Sequence, residues 1–539
     1  MRLIRSLLVS LALAPAIALA QSTTSRITAA EIDGHLRFLS SDLLEGRAPA
    51  TRGGRLAAEY IAAQLRIAGV EPGVGKSYFQ PVAIDVVGAV PSTIHVATGG
   101  KAASTMRYPD DVVMWAGSAA DSSVARGEIV FVGHGARAPE YKWDDFKGMD
   151  VKGKILLILV NDPPAPAAEP SMFGGRAMTY YGRWTYKFEE AERQGAAGAL
   201  IVHTTEQAGY PWHTVVGSWA KEQRMLPRNP ALPTPLGIRG WITDSAAQSL
   251  LSRAGLDLAA LRVQAASRDF RPVATGVTLD ASFRNQVDHL QSENVVGVVR
   301  GSDPKLRAEH VALSAHWDHL GIGPAVNGDS IYNGASDNAS GVADMLAIAR
   351  AAAAAPKTKR SLLFVFVTAE ESGLLGSEYF AEHPTVPAPM IVANLNVDGG
   401  NLLGRARDLN VLGETKSSLG ASLAALVRPL GVRLSPEEHP ERGHFYRSDH
   451  FSFAKAGIPA VSIGAGDDYE GRAKEWGPQQ DEEYTSHRYH QPSDEYGAGF
   501  DLGGAVQLSD IVLRFATQLA NATTTPAWSK DAEFVRRQP

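Results

Sequence analysis

The chain has 539 residues, 44% apolar and 20% charged, enough to bury a large core in more than one domain. Its formal charge is −6, from 52 Lys and Arg against 58 Asp and Glu, a mild acidity that argues against nucleic-acid binding, which needs a basic face. There is no cysteine, so disulfides, cysteine-protease chemistry and thiolate zinc sites are excluded.

Residues 1–20 read as a signal peptide. Arg2 and Arg5 precede an apolar run over 7–20, and Ala18-Leu19-Ala20 forms a small-x-small cleavage site before Gln21. The run is short for a membrane span. The expected location is therefore secreted or periplasmic, with no membrane insertion after cleavage. Residues 28–70 carry helical signals. Residues 57–65 are good helix formers, Leu56, Tyr60, Ile61, Leu65 and Ala68 fall on one face, and Gly69 stops the run.

From about 100 to 275 short β-rich runs at 128–133, 154–160 and 199–202 alternate with loops, and 188–195 suggests a helix. Pro-rich stretches at 163–170 and 226–235 mark loops. No cluster of ligand-type side chains stands out, so this region reads as an inserted β-rich module with a non-catalytic role. From about 290 the pattern changes to α/β. Strands are expected at 311–315, 361–368, 391–397 and 458–463, and helices at 341–355 and 505–520. Continuous apolar strands alternating with helices imply a mixed, mostly parallel central sheet with helices on both faces.

The residues just past these strands are chemically coherent. His316-Trp-Asp318 comes after the first, Glu370-Glu371 after the second and Asp398 after the third, and ligands collect beyond the carboxyl ends of such strands. Asp337 lies just before a helix, and His490 lies in a late loop. Singly, each has an ordinary structural role: an Asp before a helix caps it, and a Glu pair after a strand is a solvated turn. Together, imidazoles and carboxylates suit zinc, although a carboxylate-rich set also admits manganese or cobalt. A phosphate loop at 73–77 lacks its first glycine, and neither Gly-x-Ser-x-Gly nor His-Glu-x-x-His occurs. His319, His444, His450 and His487 are read as spare histidines.

The segments SAHWDHLG, NGASDNASG, TAEESGLLGS, NVDG, RSDHFSFAKAGIPAV and YHQPSDE, in this order and spacing, resemble the co-catalytic two-zinc aminopeptidase family, which is similar to glutamate carboxypeptidases and to the transferrin receptor. The resemblance covers about 28–85 and 285–520. It implies a discontinuous zinc peptidase domain at 21–95 and 280–525, a protease-associated domain inserted at 96–279, and a C-terminal tail at 526–539. It also implies two zinc ions: one held by His316 and Asp398, the other by Glu371 and His490, with Asp337 bridging and a cis bond between Asp337 and Asn338. Asp318 would orient His316. Glu370 would be the general base acting on a water shared by the metals. Tyr489 would hydrogen-bond the oxyanion, and Arg447 would lie near the substrate's amino end. The implied activity is removal of amino-terminal residues from peptide substrates. Carboxypeptidase or dipeptidase action on the same site is the alternative, and a receptor-like protein without catalysis is a distant one. Oligomeric state is not read from the sequence.

Overall fold

A computed structural model describes residues 27–98 and 104–536. The signal-peptide reading of 1–20 lies outside these residues. No helix among those described is long and apolar enough to cross a membrane.

The catalytic-type half is built on strands in the order Arg433–Ser435, Asp408–Leu412, Ala460–Ala465, Ile391–Asn396, His310–His316, Ser361–Val367 and Val273–Val299. The three central pairings, among Ala460–Ala465, Ile391–Asn396, His310–His316 and Ser361–Val367, are parallel. Those next to them, Asp408–Leu412 with Ala460–Ala465 and Ser361–Val367 with Val273–Val299, are antiparallel. This is the expected mixed, mostly parallel sheet. Ser361–Val367 is buried along its whole length because both faces are covered. Leu362, Phe364 and Phe366 join one core with the helices Gly341–Ala354 and Gly503–Asn521, whereas Leu363, Val365 and Val367 join another with Phe380, Phe451 and Phe453. Alternation with period two sends neighbours to opposite sides, so an apolar run is what two covered faces demand.

The helix Arg52–Ile67 forms where expected, with Ile61 and Leu65 buried and Tyr60 and Ala68 packed against the same core, but Leu56 falls off the inner face. Leu56 is 40% exposed, and the buried residues are Gly53, Gly54, Ala57, Ala58, Ile61, Ala62 and Leu65. The glycines select this face. A Cβ on Gly53 would come within 1.8 Å of the Leu44 carbonyl oxygen, so only the side with small residues fits against the turn Asp42–Arg47.

The region expected as an insertion contains the strands Ser122–Phe131, Ile155–Leu159, Gly198–His203 and Ile238–Thr243, paired in parallel succession, with Val112–Ala116 antiparallel at the end. Beside these strands it carries more helix than the sequence suggested. Trp184–Arg193 and Trp212–Trp219 pack on one face, and Asp244–Ser252 and Leu258–Ala265 on the other. These helices have only 8 to 10 residues, too few for a clear period to stand out.

Two long strands, Phe79–Thr98 and Val273–Val299, pair antiparallel and join both halves into one sheet. Val96 faces Leu279 across this ribbon. The expected domain limits at 96 and 279 therefore meet at a single rung.

Candidate metal centre

The parallel strands bring their carboxyl ends to one edge. His316 ends its own strand, Glu370 and Glu371 follow Ser361–Val367, and Asp398 follows Ile391–Asn396. Asp337 enters from the loop before the helix Gly341–Ala354, across a peptide bond to Asn338 that is cis. His490 comes from the loop after the helix Trp476–His487.

These side chains form two groups that meet on Asp337. His316 Nε2 lies 3.2 Å from Asp337 Oδ1 and 3.1 Å from Asp398 Oδ1. His490 Nε2 lies 3.3 Å from Asp337 Oδ2 and 3.1 Å from Glu371 Oε2. Each oxygen of Asp337 thus addresses a different histidine. Ligand atoms of His316, Asp337 and Glu371 all lie within 4.8 Å of one another.

The donor set suits metal ions. His490 Nε2 is buried and faces two carboxylate oxygens, yet it has a hydrogen bond with neither. That is how a nitrogen sits when it shares a cation with its neighbours. Burial alone would lower the pKa of both imidazoles, but the carboxylates overcome it. Asp398 and Glu370 hold His316 well above the ordinary value, and Asp337 and Glu371 hold His490 at about 10. The ring of acids therefore demands positive charge at two points.

Glu370 is half-buried, and its main-chain N–H donates to Asp318 Oδ1 at 3.1 Å. Burial, with the charges of Glu371, Asp398 and Asp449, pushes its carboxyl well above the usual range, against the pull of His316. Asp318 is fully buried and burial raises it to about 6. Its main-chain carbonyl, at 3.2 Å, is nearer to His316 Nδ1 than its carboxylate, at 3.8 Å. Tyr489 is 47% exposed and stacks on the His490 ring at 3.9 Å between centroids. Burial and the carboxylates Asp337 and Glu371 raise its phenol, which stays protonated and able to donate. Arg447 is exposed, donates to the Arg442 carbonyl at 3.0 Å, and interacts electrostatically with Tyr210 and Tyr489.

Four contributors carried no role in the sequence reading. His319, read there as spare, is fully buried, with Nδ1 2.6 Å from Glu371 Oε1, the oxygen turned away from His490. Arg47 is 1% exposed and donates to the carbonyls of Leu39 (2.5 Å), Trp317 (2.9 Å), Asn333 (2.5 Å) and Gly334 (3.0 Å). It ties the segment after His316 to the segment before Asp337. Asp494 accepts the main-chain N–H groups of Ser336 and Asp337 at 3.1 Å, joining that loop to the one bearing His490. Asp449 is fully buried, and burial raises it to about 7, with His316 opposing and Asp398 adding to the rise. His319, Asp449 and Asp494 left a trace in the sequence, as the second His of HWDH, the Asp of RSDHFSF and the Asp of YHQPSDE, whereas Arg47 left none.

Residues 294–516, which span every one of the ligand-type side chains above, match peptidase family M28. The match covers 223 of the 539 residues, under half of the chain. A "probable leucine aminopeptidase 2" of Aspergillus oryzae is 34% identical over 110 residues, 20% of this chain and 20% of that protein. Aminopeptidase YwaD of Bacillus subtilis is 28% identical over 218 residues, 40% of this chain and 41% of that protein. The matches thus span a fifth to two fifths of these curated relatives. Among solved structures, an aminopeptidase from Aneurinibacillus sp. strain AM-1 is 20% identical, with a TM-score of 0.48 over 95% of this chain and 98% of that one. The matched M28 stretch begins inside the strand Val273–Val299 and ends inside the last long helix, so residues 96–279, expected as an insertion, lie outside it.

Proposed function

We propose that this chain is an exported zinc aminopeptidase that removes amino-terminal residues from peptides. The observation that carries the reading is Asp337. One of its oxygens faces His316 beside Asp398, and the other faces His490 beside Glu371. One zinc would be held by His316 and Asp398, the other by Glu371 and His490, with Asp337 shared. When bound, such ions would polarise the scissile carbonyl and make a water acidic enough to attack near neutral pH.

Glu370 stands beside Glu371 without being needed as a ligand. Its role is to take the proton of the attacking water and return it to the departing amine nitrogen. Asp318, accepting the Glu370 N–H and flanking His316, holds base and ligand in one frame. Tyr489 keeps its proton and donates it in a hydrogen bond to the oxygen that becomes negative as the carbonyl is attacked. Arg447 lies at the rim and binds rather than reacts. The insertion, which resembles a protease-associated domain, walls the approach.

The test is hydrolysis by the purified chain of aminoacyl anilides and of free and amino-blocked peptides, with zinc content measured on the same sample. Cleavage of free peptides from the amino end with about two zinc ions per chain is expected. Cleavage of blocked peptides from the carboxyl end would assign carboxypeptidase action instead. A zinc-loaded sample that cleaves none of them removes the reading.

A further inference from the structure

The segment after the last long helix does not trail away from the body. Residues 527–536 lie against the M28 domain and reach the insertion. The Ser418 N–H donates to the Ala527 carbonyl at 2.9 Å, the Ser529 N–H to Lys416 O at 2.9 Å, and the Arg536 guanidinium to Val392 O at 2.7 Å. Phe534 is buried among Phe445, Phe451 and Trp528, at 5.3 to 6.3 Å between ring centroids.

Glu533 is the centre of this packing. Its side chain is 5% exposed. It pairs with Lys416 Nζ at 3.0 Å and accepts from the Tyr446 hydroxyl at 2.5 Å, both in the M28 domain. It also accepts the main-chain N–H of Tyr180, in the insertion, at 3.3 Å. One carboxylate thus engages both lobes. The seam continues beside it. The Met178 N–H donates to Pro440 O at 2.9 Å, Arg176 pairs with Glu441 at 3.1 Å, and the Tyr180 ring lies 5.1 Å from that of Phe451. Gly443 is pressed against Met178, where a Cβ would come within 2.8 Å of the sulfur.

What this seam fixes is the loop 440–447. Tyr446 precedes Arg447 directly. Ser448 then accepts from Asn396 Nδ2 at 2.9 Å, two residues before Asp398. The loop is therefore anchored at its end on both Glu533 and the metal edge, and at its start on Met178 of the insertion.

We infer that residues 527–536 form a clasp holding the insertion against the loop that carries Arg447, and that Glu533 is the positioning residue of that clasp. Glu533 touches neither substrate nor metal. It acts through Tyr446 and Tyr180, setting where the rim of the substrate cleft stands. Its kinetic consequence rests on the exopeptidase reading; its structural consequence does not.

The test compares zinc-loaded full-length wild type with Glu533→Ala and Glu533→Gln by hydrogen exchange, zinc content and steady-state kinetics. In Glu533→Ala, amides of residues 176–182 and 440–447 should exchange about tenfold faster, while Ser361–Val367 and zinc content stay unchanged. KM should rise about fivefold or more with kcat within about twofold, the pattern of lost binding rather than lost chemistry. Glu533→Gln keeps an acceptor for Tyr446 and Tyr180 and should recover most of the KM. Unchanged exchange in both segments overturns the inference. So does faster exchange everywhere including Ser361–Val367, or a fall in kcat that tracks zinc loss. If Glu533→Ala does not fold, Tyr446→Phe removes one donor alone and should speed the same two segments to a smaller degree. A wild type without peptidase activity removes the exopeptidase reading, while the exchange comparison still decides the clasp.

Discussion

Replacing Arg47 by methionine keeps the bulk of its stem and removes its charge and all its donors. Four buried carbonyls, on Leu39, Trp317, Asn333 and Gly334, then lose their partner. Each such loss costs about 1–3 kcal/mol. The four share one guanidinium and relax together, so the sum falls short of four independent terms, and about 5 kcal/mol is the working figure. At about 2–4 °C per kcal/mol for a domain of this size, the melting temperature should fall by about 10–20 °C. Arg47→Lys offers a compact ammonium in place of a planar fork and should recover about half of that loss. Scanning calorimetry on zinc-loaded protein reads both values, and a chelator titration reads the metal. Because Trp317 and Gly334 flank the segments bearing His316 and Asp337, zinc affinity should fall about 10–100-fold. An Arg47→Met protein melting within about 3 °C of wild type, or one with weakened stability and undiminished zinc affinity, would refute this role for Arg47.

Glu370→Gln should bind zinc as wild type does and lose about 10²–10⁴-fold in kcat, read on an aminoacyl anilide; loss of metal instead would move Glu370 into the ligand set. His319→Ala frees Glu371 Oε1 and should weaken one ion by about 10–100-fold while sparing the other, visible as two separated phases in chelator competition. Tyr489→Phe should cost about 10²-fold in kcat with KM little changed, since the phenol is needed only as charge develops; an equal loss in KM alone would make it a binding residue. Stripping the zinc should abolish hydrolysis and lower the melting temperature, and added zinc should restore both, because ions that bind only the folded chain stabilise it by mass action.

The parts of this molecule legible in the sequence are those whose cause is local. The run 361–368 is apolar throughout because both its faces are covered, and it appears as the strand Ser361–Val367. His316, Glu370, Glu371 and Asp398 are legible because each lies at the end of its strand or within a few residues after it. The illegible parts depend on contacts distant in sequence. Arg47 lies 270 residues from Trp317 and 286 from Asn333, and nothing beside it marks it. The inner face of Arg52–Ile67 is set by a backbone approach at Gly53, which hydrophobic period does not report. The strand Val273–Val299 alternates between exposed and buried along much of its length, and its many polar residues conceal it from a search for apolar runs.

The rung at which Val96 faces Leu279 has a consequence for how the chain tolerates so large an excursion. Opposed residues of antiparallel strands stand only about 4.5–5.5 Å apart. The insertion therefore leaves and re-enters at neighbouring points, and the host sheet experiences it as the loop of a hairpin. A turn of about two residues suffices to close such a ribbon. A chain rejoined at this rung would retain every metal-facing side chain, but the surface of loop 440–447 that now meets Met178 and Tyr180 would open to water. The ribbon makes the insertion separable as topology, and the seam around Glu533 makes it inseparable as architecture.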